Sequence, residues 1–218
     1  MLFRSDRLVG LYTGALASTQ LRDFARAGQA TSAAQALVDG LGPAADPMAR
    51  QALGHLRAQL ALVAGDSQQA ATALGPLDGN SRANLLLRAD VALALGADAE
   101  LQRSAETLQA WVSEHREDAS AWQLLAQTSQ KLGQRLRALR AEAESQAALG
   151  NLPGAIDRLR AGQQLARGQQ SGGSSGRTDF IEASVIDARL RDLIAQRREL
   201  LADQRRSSGN SRNAPPPE

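Results

Sequence analysis

An all-helical chain of stacked, short helix pairs follows from three features of the sequence. Apolar residues make up 43% of the chain but aromatics only 3%, so any core is built mostly from Leu and Ala, which favour helix. Val, Ile, Tyr and Phe are too sparse and scattered to write alternating strands. Glycines at 28, 65, 96 and 133, spaced by 37, 31 and 37 residues, separate stretches of helical apolar spacing.

The clearest of these stretches runs from Ala119 to Leu149. Trp122, Leu125, Ala126, Ser129 and Leu132 share one face of a first helix, and Gly133 ends it. Leu136, Leu139, Ala143 and Ala147 share a face of a second, with small Ala138 where the first would pass close by. Two amphipathic helices turning at a glycine, with a Trp/Leu/Ala set in the first and a small residue early in the second, form the pattern of a tetratricopeptide repeat. The glycine intervals scatter around that repeat's period. Four such units exceed the three or so that an array needs to bury enough surface.

From the start of the chain, Leu8, Leu11, Tyr12, Ala15 and Thr19 lie on one helical face, so residues 1–18 read as a first helix. Asp6 among the leading arginines and Tyr12-Thr13-Gly14 within the apolar run argue against a secretory signal. Gly28 is expected to turn the chain into a second helix bearing Ala33 and Leu37, which Gly40-Leu41-Gly42-Pro43 stops. Asp46 caps a helix beginning at Pro47 and running to Ala64. Gly65 then turns, Ser67 caps, Ala70 and Leu74 repeat the small-then-large spacing, and Gly75-Pro76 closes the helix. Asn80 or Ser81 caps the next, whose inward residues are Leu85, Ala89, Ala92 and Leu93, with Gly96 at its end. Its partner spans about Ala99 to Val112, striped by Leu101, Ala105, Leu108 and Val112.

Asn151 caps a further helix with Ile156, Leu159 and Leu165. Gly150 lies half a period beyond Gly133, so this helix either completes a pair with the one before it or opens the next. By composition, the stretch Gly168 to Arg177 is a flexible linker. A C-terminal helix is expected over 179–206, carrying Ile186, Leu190, Leu193, Ile194, Leu200 and Leu201, with Arg197 interrupting any coiled-coil seam. Residues 207–218 should be disordered. The expected organisation is therefore helical repeats over 1–167, forming a right-handed superhelical array without strands, then a linker over 168–178, a helix over 179–206 and a tail.

Composition also bounds the chemistry. The formal charge is only +2, and Arg135, Arg137 and Arg140 are followed directly by acidic Glu142 and Glu144 with no aromatic platform, so no nucleic-acid stripe is expected. Cysteine is absent, which removes disulfides and thiolate metal sites. No apolar run reaches the length of a membrane span. Gly172 to Gly176 is not a phosphate loop, having no Gly-Lys-Ser/Thr after it, and Gly173-Ser174-Ser175-Gly176 lacks the context of a nucleophile elbow. Glu142/Glu144 and Glu114/Glu117 read as solvated helix faces. No cofactor or metal is expected.

Four runs carry a family resemblance: Ala121-Trp122-Gln123-Leu124-Leu125, Arg137-Ala138-Leu139-Arg140-Ala141-Glu142, Ala155-Ile156-Asp157-Arg158-Leu159, and Glu182 through Leu190. Together they resemble the C-terminal tetratricopeptide portion of bacterial periplasmic zinc metallopeptidases of the BepA type, in peptidase family M-forty-eight. The resemblance covers roughly the last 90 residues and the earlier repeats loosely. It implies a periplasmic location, a part in quality control of outer-membrane protein assembly, and a repeat array that holds partners or substrates beside a protease domain. The family's catalytic helix needs His-Glu-x-x-His. Only His55 and His115 are present, and neither has a second ligand one turn away, so no peptidase activity is expected of these residues. The alternatives are a stand-alone tetratricopeptide scaffold and a fragment of a metalloendopeptidase whose His-Glu-x-x-His domain lies upstream.

Counting from Trp122, the residues of its helix that should face a concave surface are Gln123, Gln127 and Gln130. The equivalent count from Gly65 adds His55 and Gln59. Amides both donate and accept, so a line of them suits the backbone of an extended peptide or partner segment.

Overall fold

The computed structural model describes residues 2–42, 45–75, 81–171 and 177–211. Those residues form ten helices and no strand. They are α1 (Leu2–Gln20), α2 (Phe24–Asp39), α3 (Pro47–Ala64), α4 (Ser67–Leu74), α5 (Arg82–Leu95), α6 (Asp98–Glu114), α7 (Ala119–Lys131), α8 (Arg135–Ala148), α9 (Leu152–Ser171) and α10 (Arg177–Ser211). The chain divides into two compact units, Met1–Thr107 and Leu108–Glu218, with the boundary inside α6.

Four of the reversals share one hydrogen-bond pattern. At Gly65 the amide donates to Leu62 O at 3.0 Å and the next amide, Asp66, to Ala61 O at 2.8 Å. Gly133 and Gln134 donate likewise to Gln130 O and Ser129 O, and Gly150 and Asn151 to Ala147 O and Gln146 O. This is the Schellman closure, which needs a left-handed residue after the helix end; φ is +85° at Gly65, +73° at Gly133 and +78° at Gly150. The residue after each glycine also begins the next helix. Asp66 accepts Gln69 N at 2.8 Å and Asn151 accepts Gly154 N at 3.1 Å. Each hairpin is thus compressed into one residue that closes one helix and starts another.

The first reversal departs from expectation. Gly28 lies inside α2. The turn is made by Arg22, at φ +59°, with Arg22 N donating to Thr19 O at 3.1 Å and Asp23 N to Ser18 O at 2.9 Å. Asp23 then caps α2 by accepting Arg26 N. A strong Asp cap directly after the reversal overrides the preference for glycine. Similarly, Asp66 rather than Ser67 caps α4. Ser81 caps α5 through Asn84 N at 3.3 Å; Asn80, Pro43 and Pro76 lie outside the described residues.

In the first unit α1 packs on α2, α3 on α4, and α2 and α4 each on the helix that follows, while α1 touches α3 and α3 touches α5. Alternate helices thus form a row, α1–α3–α5. Ala15, Ala34, Val38, Leu53 and Leu56 fill one buried cluster, and Ala58, Ala61, Ala70, Leu74, Leu87 and Val91 another.

In the second unit α8 is central and packs on α7, α9 and α10. Gln109 of α6 also reaches it, its Oε1 accepting from Arg137 at 3.3 Å and Arg140 at 3.2 Å. Within this unit α8 also touches α10, its alternate neighbour. Helix α9 folds back on α8 through the Gly150 turn and also packs on α10, so it pairs with both neighbours. Leu136, Ala143, Leu152, Ile156, Leu159, Ile186, Leu190 and Leu193 form the core. Gly162 lets α10 approach α9, since a Cβ there would sit 3.0 Å from Ile186 Cδ1.

Two boundaries differ from the sequence expectation. Helix α9 continues through Ser171 because one glycine, Gly168, costs a helix only about 1 kcal/mol and two glutamines follow. Residues 172–176 of the expected linker lie outside the described residues. Helix α10 starts at Arg177 and runs through Ser211 rather than ending at 206, each added residue gaining a backbone bond once the helix exists. Residues 212–218 lie outside the described residues.

Candidate interaction face

Helix α7 is buried nearly all round. Ala121, Trp122, Leu124, Leu125, Ala126, Thr128 and Ser129 are all buried. The outward line is Ser120, Gln123, Gln127, Gln130 and Lys131, each exposed. The three expected glutamines therefore share one solvent-facing line, about 10 Å long at the α-helical rise. Thr128 satisfies its hydroxyl within the helix, donating to Leu124 O at 2.6 Å.

Two tryptophans and an aspartate fix the entry to α7. Asp118 caps it, one carboxylate oxygen accepting Ala121 N at 3.2 Å and the other accepting the Trp111 indole N–H at 3.0 Å. The Trp122 indole N–H donates to Arg116 O at 2.9 Å. Trp122 is buried and Trp111 half-buried, and each uses its one donor to tie the α6–α7 turn. His115 joins this cluster, its ring centroid 4.0 Å from that of Trp111.

At the other flank, Ser145 Oγ of α8 donates to Ala119 O at 2.9 Å. The charged residues of α8 are matched by their surroundings. Arg140 Nε lies 2.6 Å from Glu182 of α10 and its guanidinium 5.8 Å from the centre of the Trp122 ring. Glu144 holds Arg189 of α10 through two guanidinium nitrogens at 2.9 Å, and Glu142 meets Arg158 of α9 at 3.3 Å. Glu142 and Glu144, expected as solvated charge, are half-buried partners instead.

No protein-family model matches the chain, and no curated protein sequence matches it. In the first unit, Gln59 of α3 is exposed, whereas His55 is half-buried and its Nε2 hydrogen-bonds Asn84 Oδ1 of α5. Buried Asn84 thus uses His55 to join α3 to α5, and His55 is a link between helices more than an open docking group. Gln59 lies in the first unit and the α7 glutamines in the second.

The residues that sequence reasoning missed are Asp118, Trp111 and Lys131. Asp118 precedes the α7 apolar pattern and had the signal of an Asp cap. Among the described residues no group of three His, Cys, Asp or Glu could hold a metal ion, and no helix is long and apolar enough to cross a membrane.

Proposed function

We propose that the chain is a noncatalytic helical-repeat interaction module of tetratricopeptide-like build, which binds an extended protein segment along α7. The observation that carries this reading is the α7 line: three amides of matched chemistry are left exposed on a helix whose other faces are buried. The backbone of an extended chain offers amide donors and acceptors along its length, and glutamine side chains can answer both. The helix-pair packing within each unit supports the repeat architecture. The resemblance to the repeat portion of periplasmic zinc metallopeptidases supplies the biological setting: recruitment of a client or an outer-membrane assembly partner, in the periplasm, for a protease domain beside it.

The test is selection of random dodecapeptides on the full chain, followed by affinity measurement against Gln123→Ala/Gln127→Ala/Gln130→Ala. The triple variant should melt within a degree or two of the parent, because exposed glutamine and alanine are both good helix formers, yet bind the selected peptides at least about fivefold more weakly, the loss of one or two net hydrogen bonds. Equal binding by parent and variant would remove α7 as the site.

A further inference from the structure

The α7 line carries a charge polarity that the amides alone do not explain. From Ala119 to Ala141 there is no aspartate or glutamate, but four cations: Lys131, Arg135, Arg137 and Arg140. Two are consumed internally, Arg137 by Gln109 and Gln134 and Arg140 by Gln109 and Glu182. The other two are exposed and have no ion-pair partner among the described residues. Lys131, the chain's single lysine, ends the glutamine line, and Arg135 follows it across the Leu132–Gln134 turn. At the other end, exposed Glu114 and Glu117 outnumber Arg116, and buried Asp118 is occupied by Ala121 N and Trp111.

We infer that the segment bound along α7 runs in one direction, with aspartate or glutamate side chains at the end that reaches Lys131 and Arg135. This rests on the reading of α7 as the docking line and adds the polarity and chemistry of the ligand. From Gln123 to Lys131 is about 12 Å along the helix, the length of about four extended residues. The glutamines hold the neutral backbone of those residues and the two cations hold the carboxylates beyond it. Lys131 sits in the last turn, where it also compensates the helix dipole, but Arg135 opens α8, where a cation opposes the dipole. Its placement there favours a role outside the helix.

The test uses the full chain and three end-blocked peptides: alternating Ser and Asn closed by two Asp, the same sequence with the Asp pair replaced by Asn, and the first sequence with the Asp pair at its start. The acid-closed peptide should bind about fivefold more tightly than the neutral one in low salt, the gain of two exposed ion pairs, with the advantage shrinking at high salt. Moving the Asp pair to the start should abolish the advantage, and so should Lys131→Glu with Arg135→Glu, while Gln127→Ala weakens all three peptides. If all three bind equally and Gln127→Ala still weakens them, the polarity is refuted and the docking line stands. If a neutral peptide with a free C-terminus matches the acid-closed one, the cations read a chain end and the side-chain assignment is wrong. If no peptide responds to Gln127→Ala, the docking line itself falls.

Discussion

Arg22 is the single non-glycine residue at positive φ among the described residues. A left-handed conformation costs an L-residue about 1–2 kcal/mol, and glycine loses back about 0.5–1 kcal/mol through its freer unfolded chain. Arg22→Gly should therefore raise stability by about 0.5–1 kcal/mol, read as a higher urea midpoint at unchanged slope. Gly133→Ala should lower it by about 1 kcal/mol, although a Cβ there meets nothing within 4 Å; a null result at both positions would mean that the turn does not hold its left-handed geometry. Buried Ser129 Oγ has no hydrogen-bond partner. Ser129→Ala removes that desolvated hydroxyl and is expected to stabilise by about 1 kcal/mol; a destabilised variant would reveal a bond that the hydroxyl does make. These turns also show where the sequence is readable. Gly65, Gly133 and Gly150 announce themselves because a residue able to cap follows or the apolar pattern stops there. Arg22 does not, because its geometry is imposed by Ser18 and Thr19 carbonyls and the Asp23 cap, and no residue type encodes that.

At the scale of the element, α8 is the unusual helix. Its sequence is rich in Arg and Glu, which marks a solvent-facing strip, yet Leu136 to Ala148 is buried or half-buried throughout. The helix is central because its neighbours supply the opposite charges. Arg140 faces Glu182 and Glu144 faces Arg189, so the order of signs on α8 is reversed on α10. A slip of α10 along α8 would break both pairs, so the pairs fix register as well as affinity. Glu182→Arg should destabilise by about 2 kcal/mol, since the pair is mostly buried and leaves Arg140 against a like charge. Adding Arg140→Glu should recover more than half of that loss in a double-mutant cycle. Additive effects would mean that the pair does not form. None of this was legible beforehand, because polar periodicity reports what a helix can expose and says nothing of partners 40 residues away. The helices themselves were legible: Asp46-Pro47, Gly96 and Asn151 fall where caps and stops should.

For the whole molecule, the division into two compact units has a thermodynamic consequence. Repeat arrays with uniform neighbour interfaces unfold as nearest-neighbour chains, and one register propagates from end to end. Here the chain divides into two compact units, Met1–Thr107 and Leu108–Glu218, each with its own buried cluster of apolar side chains. Two cooperative transitions are therefore expected by calorimetry of the full chain. Leu56 and Leu125 are both fully buried, one in each unit, and truncating either to alanine should cost about 2–5 kcal/mol. Leu56→Ala should lower one transition and Leu125→Ala the other, each leaving its counterpart within a degree or two. One transition that both substitutions lower equally would show instead that the two units melt as one body.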